Sequence, residues 1–415
     1  MMIKTDSEKI KEILERGVEE VINRESLMKK LKSGKELRIK HGVDPTGPKI
    51  HIGRATQLWK LRAFQELGHK IVFIIGDFTA LIGDASDKTS LRKPLSIEEI
   101  NQNMKHYRGQ IGKILDLEKT EFHRNSEWFN NLNLKSLLPL CMNFTAQQMI
   151  QRRNFKERWD QGKPIGIHEM LYPILQGYDS VQIKADVELG GFDQLFNLNV
   201  GREIQRIFGQ SPQDIMTLKM LPGLDGRKMS TSWGNVINIL DNPDEMYGRI
   251  MSMKDELIGD YFELCTGVSL KEVERIKKDL KSKKLNPRDA KASLAKEIVT
   301  LYHGKKETER AENEFNRIFK ERKVPLKIPI FKPSRKVMPI LDLIFESKLA
   351  KSKSEAKRII LQGGVKIRIK NQESRIKNWK KKIELKDGMI LSVGKRKFLK
   401  CFICKGEPEA KPERK

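Results

Sequence analysis

Cysteine is scarce in this chain. Four residues, Cys141, Cys265, Cys401 and Cys404, are spread over 415 positions and form no disulfide framework. A reducing cytoplasm is therefore the expected home. Cys401-Phe-Ile-Cys404 has CxxC spacing, but there is no second pair to complete a zinc site, so no protein-held metal is expected. No apolar run reaches about 18 residues, which argues against a membrane-spanning helix. The opening Met1-Met-Ile-Lys-Thr-Asp-Ser-Glu reads as an ordinary polar start, and a signal peptide is not expected there. No persuasive Ser-His-Asp or Cys-His constellation is visible, so a protein nucleophile is not expected. Acidic residues are also in deficit. There are 55 Asp and Glu against 81 Lys and Arg, a net charge of +26. Such an excess implies a polyanionic partner. It is concentrated late in the chain, where residues 331–415 hold 25 Lys and Arg against 9 Asp and Glu.

The most informative stretch is residues 36–87. Leu37, Ile39 and Val43 read as a short buried strand, ended by a turn at Pro45, Gly47 and Pro48. A helix is expected from about Gly53, with Leu58, Leu61, Phe64 and Leu67 on its buried face. Gly68 closes it, and Lys70 to Ile75 reads as a second parallel strand. This is a βαβ unit, and His51 and Gly53 stand at the N-terminus of its helix, where free backbone N–H groups suit phosphate. Gly53 is expected to let a nucleotide approach the backbone.

Further strand-to-helix turns follow. Gly76-Asp-Phe-Thr79 leads to Asp84, and then to Lys88 and Arg92, a basic pair that suits either phosphate or plain surface. Tyr172, Gln176 and Asp179 fall at i, i+4 and i+7, on one face of a helix spanning 167–181. A strand over 183–189 ends at Gly190-Gly191-Phe-Asp193-Gln194, where Asp193 suits ribose hydroxyls. Another strand, 214–218, precedes the mobile segment Gly226-Arg227-Lys228-Met229-Ser230-Thr231-Ser232. Residues 6–32 read as one amphipathic helix. From 242 to 322 the chain is helical and charged, and Val324 to Pro333 reads as a proline-marked linker. The last segment combines a helix from Ser352 with strands at Val365–Ile369 and Met389–Val393. The fold expected is α/β, a Rossmann-type parallel sheet, followed by an all-α domain and a small α+β domain.

Three of these motifs, in order, resemble a class I aminoacyl-tRNA synthetase of the bacterial tyrosyl type. Asp44-Pro-Thr46-Gly-Pro-Lys-Ile-His51-Ile-Gly53-Arg54 is similar to the HIGH motif, with Arg54 for the last His. Lys228-Met229-Ser230-Thr231-Ser232 is similar to KMSKS, with Thr231 for the second Lys. Tyr172, Gln176 and Asp179 are similar to the amino-acid-binding helix. The resemblance covers about 30–400. It implies a Rossmann-type catalytic domain at 1–240, with a dimerisation insert at about 120–165. A helical anticodon-arm domain at 241–323, a linker at 324–336 and an S4-like RNA-binding domain at 337–415 follow.

The implied reaction is tyrosine activation by ATP, with Mg²⁺, and transfer to the 3′ end of tRNA(Tyr). Catalysis would rest on positioning and charge. Its implied carriers are His51, Thr46, Arg54, Lys88, Arg92 and Lys228, with His51 counted among the sources of charge. Gly42, Asp44, His51, Gly53, Gly191, Asp193, Lys228, Met229 and Ser230 are implied to bind ATP. Thr79, Asp84, Tyr172, Gln176, Asp179 and Gln194 are implied to bind tyrosine, Asp179 through the phenol hydroxyl. A tyrosine that shares the phenol in some relatives is replaced by Lys40, which leaves the second phenol partner open. Lys353, Lys357 and Arg358 are implied to meet RNA phosphates. A homodimer is implied; Leu137, Leu138, Leu140, Met142 and Phe144 suit an interface and equally a core. The alternatives are a tryptophanyl enzyme on the same scaffold, a non-catalytic RNA-binding relative and a generic nucleotidyltransferase. The S4-like segment and Asp179 argue against the first and third, and the retained motifs against the second.

Overall fold

The computed structural model describes residues 3–84, 95–319, 328–333, 335–369, 372–394 and 397–402. Lys88, Arg92 and Cys404 lie outside them. The chain divides into two compact units, residues 1–312 and 313–415.

The first unit is built on a six-stranded sheet: β1 (Val18–Ile22), β2 (Arg38–Val43), β3 (Lys70–Ile75), β4 (Thr120–Arg124), β5 (Val187–Gly191) and β6 (Asp214–Leu218). The spatial order is β1-β6-β5-β2-β3-β4. All neighbours run parallel except β1 on β6. The strand order reverses at β2, whose successors run outward on one side and whose later partners β5 and β6 lie on the other. A ligand crevice is expected there, beyond the carboxyl ends of β2 and β5.

The N-terminal segment differs from the single helix expected. Helix α1 (Ser7–Glu15) stops at Gly17, which has φ +60. Beta-branched Val18, Val21 and Ile22 then form the antiparallel edge strand β1, and helix α2 (Arg24–Lys32) follows. The hydrophobic periodicity was genuine only for Ile10, Ile13 and Leu14, which are buried in α1. The opening βαβ unit agrees with expectation. Helix α3 (Ile52–Glu66) buries Leu58, Leu61 and Phe64, and Leu67 is buried just after it.

Two helices cover the crevice side of β5. Ile167–Gln182 and Leu195–Ile207 cross closely because glycines meet: a Cβ on Gly177 would come within 3.0 Å of the Gly201 backbone. The strand between them begins at Val187, four residues later than expected, because residues 183–186 turn the chain out of the first helix, with Lys184 at φ +52 and the Ala185 N–H bonded back to the Ser180 carbonyl. The helices Pro243–Met251, Ile258–Cys265, Leu270–Lys281, Pro287–His303 and Lys305–Phe319 agree with the expected charged, helical stretch.

In the second unit, β7 (Ile330–Phe331) falls within the expected linker yet pairs parallel with β13 (Lys397–Cys401). That sheet is ordered β10-β9-β12-β13-β7 and includes β9 (Val365–Ile369), β10 (Gln372–Ile376) and β12 (Ile390–Val393). A separate ribbon joins β8 (Val337–Pro339) to β11 (Lys382–Glu384). Helices Ile340–Glu346 and Lys353–Leu361 close a core that contains Ile340, Leu343, Ile360, Val365 and Leu391.

Candidate active site

A polar cavity of about 550 Å³ opens at the carboxyl ends of β2 and β5. Its first wall is the entry to α3. His51 is the N-cap, and its Nδ1 accepts the Arg54 backbone N–H at 3.3 Å. The proton of a neutral ring therefore sits on Nε2. Burial, with help from the Arg54 guanidinium, lowers the imidazole pKa to about 4. His51 thus offers a neutral N–H donor at physiological pH, which corrects its expected role as a source of charge. Gly53 leaves room for two neighbouring side chains. A Cβ there would lie 2.9 Å from the Met229 sulfur and 3.1 Å from His51 Nδ1.

Arg54 is held by two hydroxyls. Its Nη2 donates to Thr46 Oγ1 at 2.8 Å, and its Nη1 donates to Tyr107 OH at 3.0 Å. Tyr107 is fully buried, so the guanidinium that replaces the usual His has a fixed position on the cavity wall. From the signature loop, Met229, Ser230 and Thr231 line the cavity. Lys228 is exposed. Asn235 pins the loop from behind: it accepts the Ser230 N–H at 2.8 Å and donates to the Lys228 carbonyl at 3.0 Å and to Asp225 at 2.8 Å. Arg227 is engaged with Asp225 and lies 4.8 Å over the Trp233 ring.

The opposite wall is acidic. Both Asp44 oxygens accept hydroxyl donors, from Tyr172 at 2.9 Å and from Thr79 at 2.8 Å. Asp44 was expected among the nucleotide residues alone, but its contacts tie it to Tyr172 and Thr79, two residues expected to bind the amino acid. A Cβ on Gly76 would collide with Asp44 Oδ1 at 2.2 Å, so the β3 turn must be glycine. Burial and the nearby Asp44 carboxylate raise the Tyr172 phenol well above its ordinary pKa and keep it a donor. Asp84 is ion-paired with the buried Arg152 and accepts from Gln194 Nε2 at 2.6 Å. At the entry to the next helix, Gly191 admits Asp193: a Cβ would lie 2.6 Å from its carboxylate. Gly42, at the end of β2, also lines the cavity.

The floor is a buried network. Asp179, 4% exposed, accepts the Trp128 indole N–H at 2.9 Å. Desolvation raises its pKa to about 7, against the pull of the Lys40 charge and the Trp128 bond. Lys40 is fully buried, and its ammonium makes three contacts: Glu188 at 2.8 Å, the Gln176 carbonyl at 2.8 Å and Ser180 Oγ at 2.7 Å. Gln176 accepts from Asn197 at 2.8 Å, and Asn197 also donates to Gln194 at 3.1 Å. The side chains of Tyr172, Gln176 and Asp179 therefore converge on one cavity with Thr46, His51, Asp84, Asp193 and Ser230.

Sequence reasoning missed Trp128, Glu188, Arg152, Tyr107 and Asn235. Glu188, a lone acid inside an apolar strand, was the one visible signal, because a buried acid demands a partner. The other four are brought in by pairings across the fold. In the second unit, Lys353 is ion-paired with Asp342 at 2.7 Å, while Lys357 and Arg358 are exposed.

Comparison with known proteins agrees with this geometry. The model of tRNA synthetases class I (W and Y) matches residues 32–320. A tyrosine–tRNA ligase from Carboxydothermus hydrogenoformans is 46% identical over 400 residues, 94% of this chain and 96% of that one. One from Thermotoga maritima is 45% identical over 395 residues, 95% of this chain and 97% of its own. Among solved structures, a tyrosyl-tRNA synthetase from Archaeoglobus fulgidus complexed with L-tyrosine has a TM-score of 0.60 at 25% identity. That alignment covers 74% of this chain and 99% of the other. With matches over nearly the full length of curated relatives, and a cavity that joins residues of both signature motifs to the buried Asp179, the chain belongs to the tyrosine–tRNA ligase family of the class I tRNA synthetases.

Proposed function

We infer that the polar cavity is where this ligase forms tyrosyl-adenylate from tyrosine and ATP and then transfers tyrosine to tRNA(Tyr). The observation that carries this reading is the placement of Asp179 and its Trp128 donor at the floor of the cavity whose rim holds His51 and the signature loop. In this reading the phenol O–H donates to ionised Asp179, and Asp84, Tyr172, Gln176 and Gln194 hold the amino end. Thr79 acts through Asp44 and stays out of direct contact with substrate, since its hydroxyl is already committed there.

The tyrosine carboxylate attacks the α-phosphorus and pyrophosphate leaves. His51 Nε2–H, Thr46 and Arg54 donate to phosphate oxygens, and Lys228 supplies mobile charge when the loop closes. Gly42, Gly53, Gly191, Asp193, Met229 and Ser230 frame the nucleotide. Lys88 and Arg92 are proposed as further phosphate ligands on the family resemblance alone. Magnesium enters with the ATP phosphates, as part of the substrate. A 3′-terminal ribose hydroxyl of tRNA then attacks the adenylate carbonyl. Phenylalanine would deprive buried Asp179 of the phenol donor, the general ground on which this enzyme type reaches discrimination of about 10⁵ without editing.

The proposed domains are catalytic at 1–240, anticodon-arm-binding at 241–323 and S4-like at 337–415. The last binds RNA through Lys353, Lys357 and Arg358, and Lys353 must first leave Asp342. A homodimer through 120–165 is supported by exposed Leu134, Leu138 and Met142, the last 84% exposed, whereas Leu140 and Phe144 of the same stretch belong to a core cluster. A cytoplasmic home is supported by cysteine usage. ATP–pyrophosphate exchange with each of the twenty amino acids tests the central reading. Exchange with tyrosine alone is expected; exchange with tryptophan, or none at all, would overturn it.

A further inference from the structure

The stretch from the end of β10 to the start of β11 has a composition that the catalytic reading leaves unused. It runs Arg375-Ile-Lys377-Asn378-Trp379-Lys380-Lys381-Lys382, five cations around one indole. Its backbone is fixed: Asn378 Oδ1 accepts the Lys380 N–H at 2.9 Å, and the Lys381 carbonyl accepts from Ile340 at 2.9 Å. Trp379 is half-buried and packs against the core of the second unit, which locks the indole in place. Two ammonium groups lie over its ring, Lys357 Nζ at 4.3 Å from the centroid and Lys380 Nζ at 5.3 Å. Lys357 comes from the helix Lys353–Leu361 and Lys380 from the loop itself, so two separate elements deliver cations to one aromatic surface.

We propose that Trp379, flanked by Lys357 and Lys380, is a stacking platform for an unpaired base of the bound tRNA. This rests on the reading that residues 337–415 bind tRNA, and adds to it a contact that phosphate binding alone does not require. A rigid, partly exposed aromatic ring within a basic loop is the arrangement that binds single-stranded nucleic acid. In the free protein the ring's negative face holds the ammonium groups. When a base stacks, the flexible lysines swing to the phosphates on either side, so no charge is left without a partner. A fully paired helix offers no free base to the ring. The site therefore selects an unstacked nucleotide in a loop or bulge, without reading its sequence by hydrogen bonds.

The test uses the full-length protein and tRNA(Tyr) transcript, with affinity measured over a series of salt concentrations. Trp379→Leu should weaken binding about tenfold, the loss of one stacked base, without changing the slope of log K against log salt. Trp379→Phe should stay within about twofold of the parent. Lys357→Ala should reduce the slope by somewhat less than one, the loss of one phosphate contact. Tryptophan fluorescence gives a readout that does not depend on a folded leucine variant: tRNA should quench a component present in the parent and missing in Trp379→Phe. A paired duplex of equal length should quench far less; equal quenching by duplex would overturn the proposal. So would parental affinity in Trp379→Leu alongside a reduced slope in Lys357→Ala, which means a phosphate-only surface. If deletion of 337–415 also leaves tRNA affinity unchanged, the RNA-binding reading itself fails.

Discussion

Lys40→Met probes the floor of the cavity. The Lys40 ammonium is fully buried and neutralises Glu188, and it opposes the burial that lifts Asp179 to a pKa of about 7. Removing it has two calculable effects. Among the described residues, Glu188 is left with the hydrogen-bond donors Ser180, Gln213 and Gln176. Breaking a buried ion pair in this way costs about 3–5 kcal/mol of stability. Asp179 also loses the positive charge that favours its ionised form, while Glu188 continues to disfavour it and Trp128 and Asn125 remain as donors. An opposite charge at such range typically lowers a carboxyl by about 1–3 units, so its loss should move Asp179 upward by a comparable amount.

The sign follows from the role of the carboxylate. Tyrosine needs the ionised acceptor, so activity is lost as pH falls through the Asp179 pKa. At pH 7 the parent is about half ionised, and the variant roughly a tenth or less, by the tenfold change per unit. Tyrosine kcat/KM should therefore fall about 5- to 500-fold at pH 7, the span set by a shift of about 1–3 units, and rise again toward pH 9. Phenylalanine should be affected less, because a protonated acid is cheaper to leave unpaired than a carboxylate, and the Tyr/Phe ratio should shrink. The assay is pyrophosphate exchange between pH 6 and 9, with thermal melts as a control for folding. The double variant Lys40→Met, Glu188→Gln removes both charges; it should regain most of the stability and place the acidic limb between parent and single variant. A folded Lys40→Met with the parental acidic limb and the parental Tyr/Phe ratio would refute the reasoning.

Other outcomes are expected from the same geometry. His51→Asn retains a good N-cap, so melting should change by no more than about 1 kcal/mol. It loses the Nε2–H donor, and single-turnover adenylate formation should slow about 10²-fold. Because His51 titrates near 4, the parental rate of that step should show no limb from it between pH 6 and 9. Lys228→Ala should slow adenylate formation by about 10² with little change in tyrosine affinity. Arg227→Ala should do much less, since Arg227 is tied to Asp225 and Trp233; the reverse ranking in rapid-quench measurements would reassign the loop's active cation. Met142→Asp places a charge on the most exposed apolar residue of the proposed interface and should shift sedimentation at micromolar protein from dimer toward monomer, while the subunit's melting stays near parental.

The sequence alone determined the parts of this protein whose physics is local. The βαβ unit was legible because its apolar spacing, turn prolines and closing glycine all act within a few residues, and the His51–Gly53 helix entry followed from it. The spacing of Tyr172, Gln176 and Asp179 on one helix face needed only the 3.6-residue period. Tertiary structure decided what local patterns cannot encode. β1 is a strand because β6 offers an edge to Val18 and Val21; taken alone, residues 18–22 continue a helical pattern equally well. The two-residue strand β7 exists only through its pairing with β13. At the site, the charge state of His51 and the lifted Asp179 come from burial, which has no signature in one dimension. The partners that complete it are far away along the chain: Trp128 meets Asp179 across 51 residues, Lys40 meets Ser180 across 140. Residue types announced what this cavity needed, an acid for a phenol and donors for phosphates; only the folded sheet, by crossing over at β2, brought them within bonding distance.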